Sequence, residues 1–582
     1  MDFIPQPRTC PSSQEYLSVL NPEQRAAVEH HGSPLLILAG AGSGKTRVIT
    51  TKIAYLIGEK NLPPYSILAV TFTKKAATEM KERAIRLHPE AKNSQIRTFH
   101  SFGSWFLRRH TEEAGIDASF TVYDDEDMVT LLQKAVLGLT RQEAIHFAHS
   151  ISRAKDYCLE PNSQQLSFID ETPNFPQIYQ AYQNRLRETG NIDFGDLIML
   201  PVLLLERKPE IREHMQRRFQ VIMVDEYQDS NVAQFKLLQL LAGSNTYVCV
   251  VGDDDQSIYN FRGAEVKNIL SFPEHFSGTT IIKLERNYRS IPQVLNVAND
   301  VICHNKNRFD KILKHTRASG DTPVLAFLDN NFDETDFCAQ VIQNAHKQGI
   351  PYSDWALLYR TNSQSLTFET EFLHRKIPYV IVGSLKFYDR EEIKDALAYL
   401  AITANPKDEI SFRRVVNKPS RGIGDKTQDK IVIDSRNFAK DSLLGESNLL
   451  ESCRRIAKDS TKNAKEGLTT FVSTMDTLIK LIDQGQKAAQ PLPVEQLAQQ
   501  ATNNPEISTK TNATSNTNNA LPDEAPKKLS YLIEQLTLLS GLEEYHRGQD
   551  EISGTQRVAN LQELANSAAL YPLSRDGLLD FL

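Results

Sequence analysis

Residues Leu36-Ile37-Leu38-Ala39-Gly40-Ala41-Gly42-Ser43-Gly44-Lys45-Thr46-Arg47 place an apolar run, a loop of small residues and a lysine-threonine pair in immediate succession. A strand that ends in such a loop and opens a helix aims backbone N–H groups and the helix N-terminus at one point, forming a cradle for a phosphate chain. In that arrangement Lys45 reaches the β- and γ-phosphates and the Thr46 hydroxyl ligates Mg²⁺. The first position of the pattern G-x-x-x-x-G-K-S/T is Ala39 instead of glycine, a mild departure. Further along, Val221-Ile222-Met223-Val224 runs into Asp225-Glu226. Two adjacent carboxylates ending an apolar strand are costly unless a cation or a substrate uses them. Alone, the pair could equally cap a helix. Behind a phosphate loop, Asp225 is positioned to hold Mg²⁺ through water and Glu226 to polarise an attacking water as base. The chemistry these residues could do is hydrolysis of a bound nucleoside triphosphate.

Such residues act only if a sheet holds them. Short β-branched runs at 34–38, 67–70, 220–224, 247–251 and 280–284 are bounded by turn residues and separated by helical pattern. That alternation predicts a parallel sheet covered on both faces, an α/β fold. Residues 123–187, between the second and third runs, are mostly helical in pattern and predict an inserted helical subdomain. Further strand-like runs at 324–328, 355–359 and 379–382 alternate with helical pattern at 333–346 and 365–374, predicting a second α/β unit. From Arg390 onward helical pattern dominates, at 391–404, 412–416, 431–439, 464–481, 529–539 and 556–568. A stretch rich in Asn, Thr, Gln and Pro from about 484 to 528 cannot bury enough apolar surface to offset chain entropy, and is expected to be disordered.

Composition narrows the class. The 582 residues are 40% hydrophobic and 24% charged, with room for about four domains of roughly 150 residues. The longest apolar run, 197–205, is far too short to span a bilayer. The first residues carry neither a basic region nor an apolar stretch of signal-peptide length, so the expected compartment is cytoplasmic with no membrane association. Six cysteines without C-x-x-C spacing fit a reducing compartment and exclude a zinc ribbon. With 66 Lys and Arg against 73 Asp and Glu the net charge is −7, so any nucleic-acid contact must come from local placement of charge.

What surrounds the phosphate loop is more specific. Asp225-Glu226-Tyr227-Gln228-Asp229-Ser230-Asn231 and Val251-Gly252-Asp253-Asp254-Asp255-Gln256-Ser257-Ile258-Tyr259-Asn260-Phe261-Arg262-Gly263-Ala264 closely resemble the superfamily 1 DNA helicases of the UvrD/PcrA/Rep family. So do Leu20-Asn21-Pro22-Glu23-Gln24, Thr71-Phe72-Thr73-Lys74-Lys75-Ala76-Ala77, Thr98-Phe99-His100-Ser101-Phe102 and Leu284-Glu285-Arg286-Asn287-Tyr288-Arg289-Ser290. The blocks Leu357-Leu358-Tyr359-Arg360-Thr361-Asn362 and Val382-Gly383-Ser384-Leu385-Lys386-Phe387-Tyr388 continue it, collinear from about residue 20 onward. The resemblance implies RecA-like P-loop NTPase motor domains carrying inserted helical subdomains. Residues 1–110 and 196–285 would form the first motor domain, with 111–195 its helical insert. Residues 286–388 would be the first half of the second, and 389–582 a helical accessory domain. It also implies ATP and Mg²⁺ as cofactors, with Ala39, Gly40, Ala41, Gly42, Ser43, Gly44, Lys45 and Thr46 around the phosphates. Gln24 would read the adenine edge and Arg47 and Tyr288 would flank the base. Gln256 and Arg289 would sense the γ-phosphate, because an amide and a guanidinium can bind equatorial oxygens whose contacts vanish on hydrolysis. Movement 3′ to 5′ on single-stranded DNA, in DNA repair, replication or recombination, is implied by the family alone.

A single-strand track needs aromatic faces beside polar and basic groups, since every base offers a π-face. Phe72, Tyr259 and Phe261 are expected to stack on bases, with His100, Arg262 and Arg360 at the backbone or neighbouring groups. Phe261 stands where the family usually has Trp, and Lys74 where it usually has Asn. Arg421-Gly422-Ile423-Gly424 looks like the glycine hairpin by which backbone N–H groups approach a duplex phosphate, with Gly422 and Gly424 the small residues; an ordinary loop would read the same. The expected nucleic-acid partners are thus single strands and single-strand/duplex junctions, and repair or replication proteins are possible partners by family. Three blocks of the family have no counterpart here: His-x-x-Lys-Gly-Leu-Glu, a strand-separating pin, and a block ending in Thr-Arg whose arginine is a finger on the γ-phosphate. Such a finger is worth roughly 10³- to 10⁵-fold in hydrolysis. The sequence is therefore expected to read as a helicase cut short before its last two motifs. Such a chain would bind ATP·Mg²⁺ and single-stranded DNA but hydrolyse slowly and unwind poorly, unless the missing segment is supplied. Its alternative function is then that of an ATP- and DNA-binding module.

Overall fold

Apolar runs long enough to be buried on both faces form the middle of a parallel sheet in the computed structural model. The structure describes residues 13–258, 263–361, 364–382, 387–441, 448–489, 528–553 and 556–582. The chain divides into two compact units, Met1–Pro323 and Val324–Leu582.

In the first unit the strands are β1 (Leu35–Ala39), β2 (Ile67–Thr71), β3 (Gln95–Thr98), β4 (Val122–Tyr123), β5 (Ile192–Asp193), β6 (Val221–Val224), β7 (Tyr247–Gly252), β8 (Thr280–Leu284), β9 (Arg286–Asn287) and β10 (Lys314–His315). Six of them make one sheet in the order β3-β2-β6-β7-β1-β8, with every pairing parallel. β1, β2 and β6 are buried at every residue, as expected for strands covered on both faces. The period of two is visible in the core: Leu36 and Leu38 join the apolar cluster on one face, and Leu35, Ile37 and Ala39 the cluster on the other. All five expected strands of this sheet form. β3 is an additional edge strand, four residues long with alternate positions half-buried, a pattern too short to announce itself.

Because the strands are parallel, their C-terminal ends share one edge, where ligands of open α/β sheets bind. β1 delivers the phosphate loop there, β6 the acid pair and β7 Asp253; β2 and β3 deliver Phe72 and His100.

The inserted helices Asp125–Ala135, Arg141–Asp156 and Phe175–Glu188 are closed off by the short parallel pair β4–β5. Lys155 leaves the second helix fully buried, 2.6 Å from Asp193 and 2.7 Å from Asp196, and the Tyr182 hydroxyl donates to Asp193 at 2.8 Å.

In the second unit the helices Asn331–Lys347 and Ser365–His374 meet through Ala339, Ile342, Phe372 and Ile377. The second strand series does not form: 324–328, 355–359 and 379–382 carry no strand. Val324, Phe327, Leu358 and Val382 stand about nine-tenths exposed, at 87%, 89%, 92% and 90%. An apolar run becomes a strand only when a neighbour accepts its backbone hydrogen bonds, and among the described residues of this unit these runs have no such neighbour. The expected second sheet is therefore corrected to a helix pair flanked by extended apolar segments.

Between Glu391 and Phe581 the described residues form a helical bundle around Tyr399, Phe412, Phe471, Leu532 and Leu564. Disorder is expected from about 484, but helix Lys462–Ala489 runs through that point, and at the other end Lys528 bridges to Pro572; residues 490–527 lie outside the described residues.

Removing the buried cation from the Lys155 triad strands two carboxylates. Lys155→Met is expected to destabilise the first unit by about 3–5 kcal/mol, read as a lowered urea midpoint.

Candidate functional site

After β1 the chain turns tightly: the Ser43 hydroxyl donates to the Gly40 carbonyl at 2.7 Å, and Gly42 and Gly44 take φ of +64° and +92°. Those values favour glycine, which explains why these two positions carry it. Ala39 lies within β1, its methyl buried in the core, so the departure from the usual glycine is absorbed by the strand. Helix Lys45–Gly58 starts at Gly44.

The segment expected to read the base is held against this loop. Asn21 and Gln24 form a reciprocal cap on helix Pro22–Glu29, and Gln24 Nε2 donates to the Ser43 carbonyl at 2.8 Å. One N–H and one lone pair of the Gln24 amide are thereby left for a ligand. The C-terminal end of the same helix is tied down by Lys52, whose buried ammonium donates to the Ala27, Val28 and His30 carbonyls at 2.8, 3.2 and 2.5 Å. Burial pushes the Lys52 amine down to about 8. Tyr288 is half-exposed and its hydroxyl accepts from Asn21 Nδ2 at 2.8 Å; Arg47 is exposed on the first turn of its helix.

At the end of β6, Asp225 is buried and its carboxyl is raised to about 7, first by burial and then by the charge of Glu226. A buried carboxylate held that high suits a hard divalent cation, and the Thr46 hydroxyl and Asp225 supply the oxygen donors such an ion takes. Glu226 adopts a left-handed φ of +50°, a strained conformation of the kind found at functional sites. It pairs with Lys45 at 2.7 Å. Gln228 Nε2 donates to Glu226 at 2.9 Å, while Gln228 Oε1 accepts the Asp253 N–H at 2.9 Å. Gln256 in turn donates to Asp253. A continuous chain of contacts thus runs from Lys45 to Gln256.

Asp253, Asp254 and Asp255 are close enough together to hold a metal ion, but the Lys311 ammonium stands among them at 2.9, 2.5 and 2.6 Å. Arg308 grips Asp255 with two hydrogen bonds of 2.8 Å. The triplet is an anchor for the Gln256 turn, its three carboxylates already paired with two protein cations.

Two family models cover the chain. The UvrD/REP helicase N-terminal domain matches residues 20–277 and the UvrD-like helicase C-terminal domain residues 282–577. The chain belongs to the UvrD/REP helicase family. Among its relatives, the ATP-dependent DNA helicase PcrA of Staphylococcus epidermidis is 44% identical over 418 residues, covering 71% of this chain and 57% of the relative. PcrA of Staphylococcus aureus is 41% identical over 451 residues, covering 76% of this chain and 62% of the relative. The chain thus spans about three-fifths of the length of these curated relatives.

Within this UvrD-type frame, Phe72 is half-buried, edge-on to Phe99 with ring centroids 6.1 Å apart. His100 is pushed down to about 4 by burial, so near neutral pH it offers a ring face and an uncharged nitrogen instead of a cation. Against it, at 5.9 Å and 84°, stands Phe194, half exposed and overlooked by the sequence reading. Its signal was an aromatic residue wedged between Asp193 and Asp196, whose carboxylates turn inward to Lys155. Tyr259, Phe261 and Arg262 lie outside the described residues. In the second unit, Arg360 is exposed on a turn where its N–H donates to Gln364. Gly422 has φ of +71°, and a side chain at Gly424 would meet open space. Their loop is pinned by Asn417, which accepts from Arg421 and Ile423 N–H groups at 2.8 and 3.0 Å. Gln228, Lys311 and Asn287 also went unread, since their roles depend on contacts between distant segments.

The Lys311 cluster fixes a pH dependence. Burial alone would raise Asp255, but the hydrogen bonds and charges of Arg308 and Lys311 outweigh it and hold the carboxyl below its ordinary 3.8. Burial alone would lower Lys311, but the three carboxylates outweigh it and hold the amine above 10.5. The cluster's stabilisation is therefore complete above pH 3.8 and lost as pH falls through the depressed carboxyl value; it is complete below pH 10.5 and lost as pH rises through the raised amine value. Lys311→Met leaves repelling carboxylates that gain from protonation. Its deficit in melting temperature relative to the wild type is expected to shrink as the pH is lowered from about 7 to 5.

Proposed function

We propose that the chain is an ATP- and Mg²⁺-dependent motor that moves 3′ to 5′ on single-stranded DNA and separates strands in DNA repair, replication or recombination. The observation that carries this reading is the shared sheet edge. The ends of β1, β7 and β6 bear Lys45, Asp253 and Asp225-Glu226, while the adjoining β2 and β3 end at Phe72 and His100. Nucleotide chemistry and base stacking then act on one rigid sheet. Residues 1–110 and 196–285 act as the first motor domain with 111–195 its helical insert, residues 286–388 begin a second motor domain, and 389–582 act as the accessory domain.

In this reading Lys45 takes the β- and γ-phosphates and Glu226 accepts a proton from the attacking water. Gln256 and Arg289 bind γ-phosphate oxygens, and Gln24, Arg47 and Tyr288 hold the base. Mg²⁺, held by Thr46 and through water by Asp225, would neutralise charge on the phosphates. Phe72 and Phe194 stack bases beside His100; Tyr259, Phe261, Arg262 and Arg360 are assigned to single-strand binding on the family resemblance. Gly422 and Gly424 offer backbone N–H groups to duplex phosphate at a junction.

A second reading, an ATP- and DNA-binding module that unwinds little until a further segment is supplied, is favoured by one observation. The apolar segments 324–328, 355–359 and 379–382 carry no strand pairing.

Duplexes with a 3′ or a 5′ single-stranded tail, tested alongside DNA-stimulated ATPase, decide between them. The motor predicts unwinding of the 3′-tailed substrate only, turnover in the ordinary range of about 1–10³ s⁻¹, and loss of both in Lys45→Ala. Tight binding of ATP and DNA without unwinding of either substrate selects the module, and no nucleotide binding contradicts both. Phe194→Ala is expected to weaken single-stranded DNA binding by about 1–3 kcal/mol, with nucleotide affinity unchanged.

A further inference from the structure

We propose that Asn287 is the positioning residue that seats Arg289 over the phosphate loop and so lets the site distinguish a nucleoside triphosphate from a diphosphate. The proposal rests on the reading of Arg289 as a γ-phosphate contact and deepens it by naming what holds that arginine in place.

Asn287 ends β9 and is 1% exposed, although the residues on either side of it are not buried. Its side-chain amide works in two directions. Nδ2 donates to the Ala41 carbonyl of the phosphate loop at 2.6 Å. Oδ1 accepts the N–H groups of Arg289 and Ser290 at 2.9 and 2.7 Å. One planar group therefore ties the loop that holds the phosphates to the backbone that carries the arginine.

Three further contacts fix the segment in the same register. The Tyr288 N–H donates to the Gly42 carbonyl at 3.0 Å. Thr316 donates to the Asn287 carbonyl through its N–H at 3.1 Å and its hydroxyl at 2.8 Å, and β9 pairs with β10. The fit is close enough that a Cβ on Gly42 would stand 2.7 Å from Arg289 Cβ and 2.9 Å from Asn287 Nδ2. Glycine at 42 thus serves the approach of this segment as well as the turn.

Among the described residues the Arg289 guanidinium has no hydrogen-bond or ion-pair partner, and the residue is exposed. Its backbone is fixed while its charge is free, the state wanted of a group that meets a ligand. Fixing the stem in advance spares ordering entropy when the contact forms. Asn287 touches the loop backbone and not the ligand's outer phosphate, so its loss should act through Arg289 alone on the triphosphate. A merely structural residue would weaken triphosphate and diphosphate alike.

The test is titration of the full chain, without DNA and with Mg²⁺, by a fluorescent ADP and by a fluorescent non-hydrolysable ATP analogue. Wild type, Arg289→Ala, Asn287→Ala and Asn287→Ser are compared. Asn287→Ala is expected to lower the preference for the ATP analogue over ADP by about tenfold, the scale of one charge-assisted hydrogen bond, while ADP affinity stays within about twofold. Asn287→Ser stays neutral, keeps a weaker acceptor for the Arg289 and Ser290 N–H groups and loses the donor to the Ala41 carbonyl; it should show the same split if the alanine variant folds poorly. If Arg289→Ala leaves the preference intact, the reading of Arg289 itself fails. If Arg289→Ala reduces the preference but both Asn287 variants leave it intact, or weaken the two nucleotides equally, the reading stands and the role of Asn287 is overturned.

Discussion

The ion pair between Lys45 and Glu226, 2.7 Å long, joins the helix behind the phosphate loop to the strand that carries the acids. β7 lies between β1 and β6 in the sheet, so this contact bridges a full strand. Its two charges act in opposite directions on Asp225 and Asp229, whose carboxyls are raised first of all by burial. Lys45 is largely buried, with 11% of its side chain exposed, and an unpaired ammonium there would be costly. The carboxylate of Glu226 supplies the compensation. On the proposed reading phosphate oxygens take its place and leave Glu226 to face water. One contact would then satisfy Lys45 and hold the proposed base until a phosphate chain displaces it. Gln228, bonded to both Glu226 and the Asp253 backbone, links this pair to the turn that bears Gln256.

The same compensation recurs at a distance. Lys155 serves Asp193 and Asp196, Lys311 and Arg308 serve three consecutive aspartates, and Lys52 serves three carbonyls at a helix end. Each joins segments far apart in sequence, and each supports an element at the candidate site: Phe194 on the inward-turned carboxylates, the Gln256 turn, and the Gln24 helix. Buried charges are a poor source of net stability, yet losing one partner is severe. Their value here is geometric, since each admits one arrangement of chain in which all partners are satisfied.

The fold of the first unit was legible because its strands are continuous apolar runs, buried on both faces, and because the phosphate loop and acid pair mark two strand ends. β3 was not, being four residues with polar alternation. The second strand series was misread for a deeper reason. Val324, Phe327 and Leu358 have the composition of strand residues, but pairing is a property of neighbours, and composition cannot supply one. Within the candidate site, Lys45, Asp225 and Glu226 follow from local chemistry, whereas Gln256 and Arg289 came only through resemblance. Asn287 and Lys311 were invisible to both, because their significance lies in which carbonyls or carboxylates the folded chain brings to them.

Competition between Glu226 and the nucleotide for Lys45 is measured most directly as the calorimetric affinity of a non-hydrolysable ATP analogue for wild type and for Glu226→Gln, with Mg²⁺ present. The neutral amide should release Lys45, so that the analogue binds several-fold more tightly, on the scale of about 1 kcal/mol for a partly exposed ion pair. Equal or weaker binding by Glu226→Gln would rule the competition out.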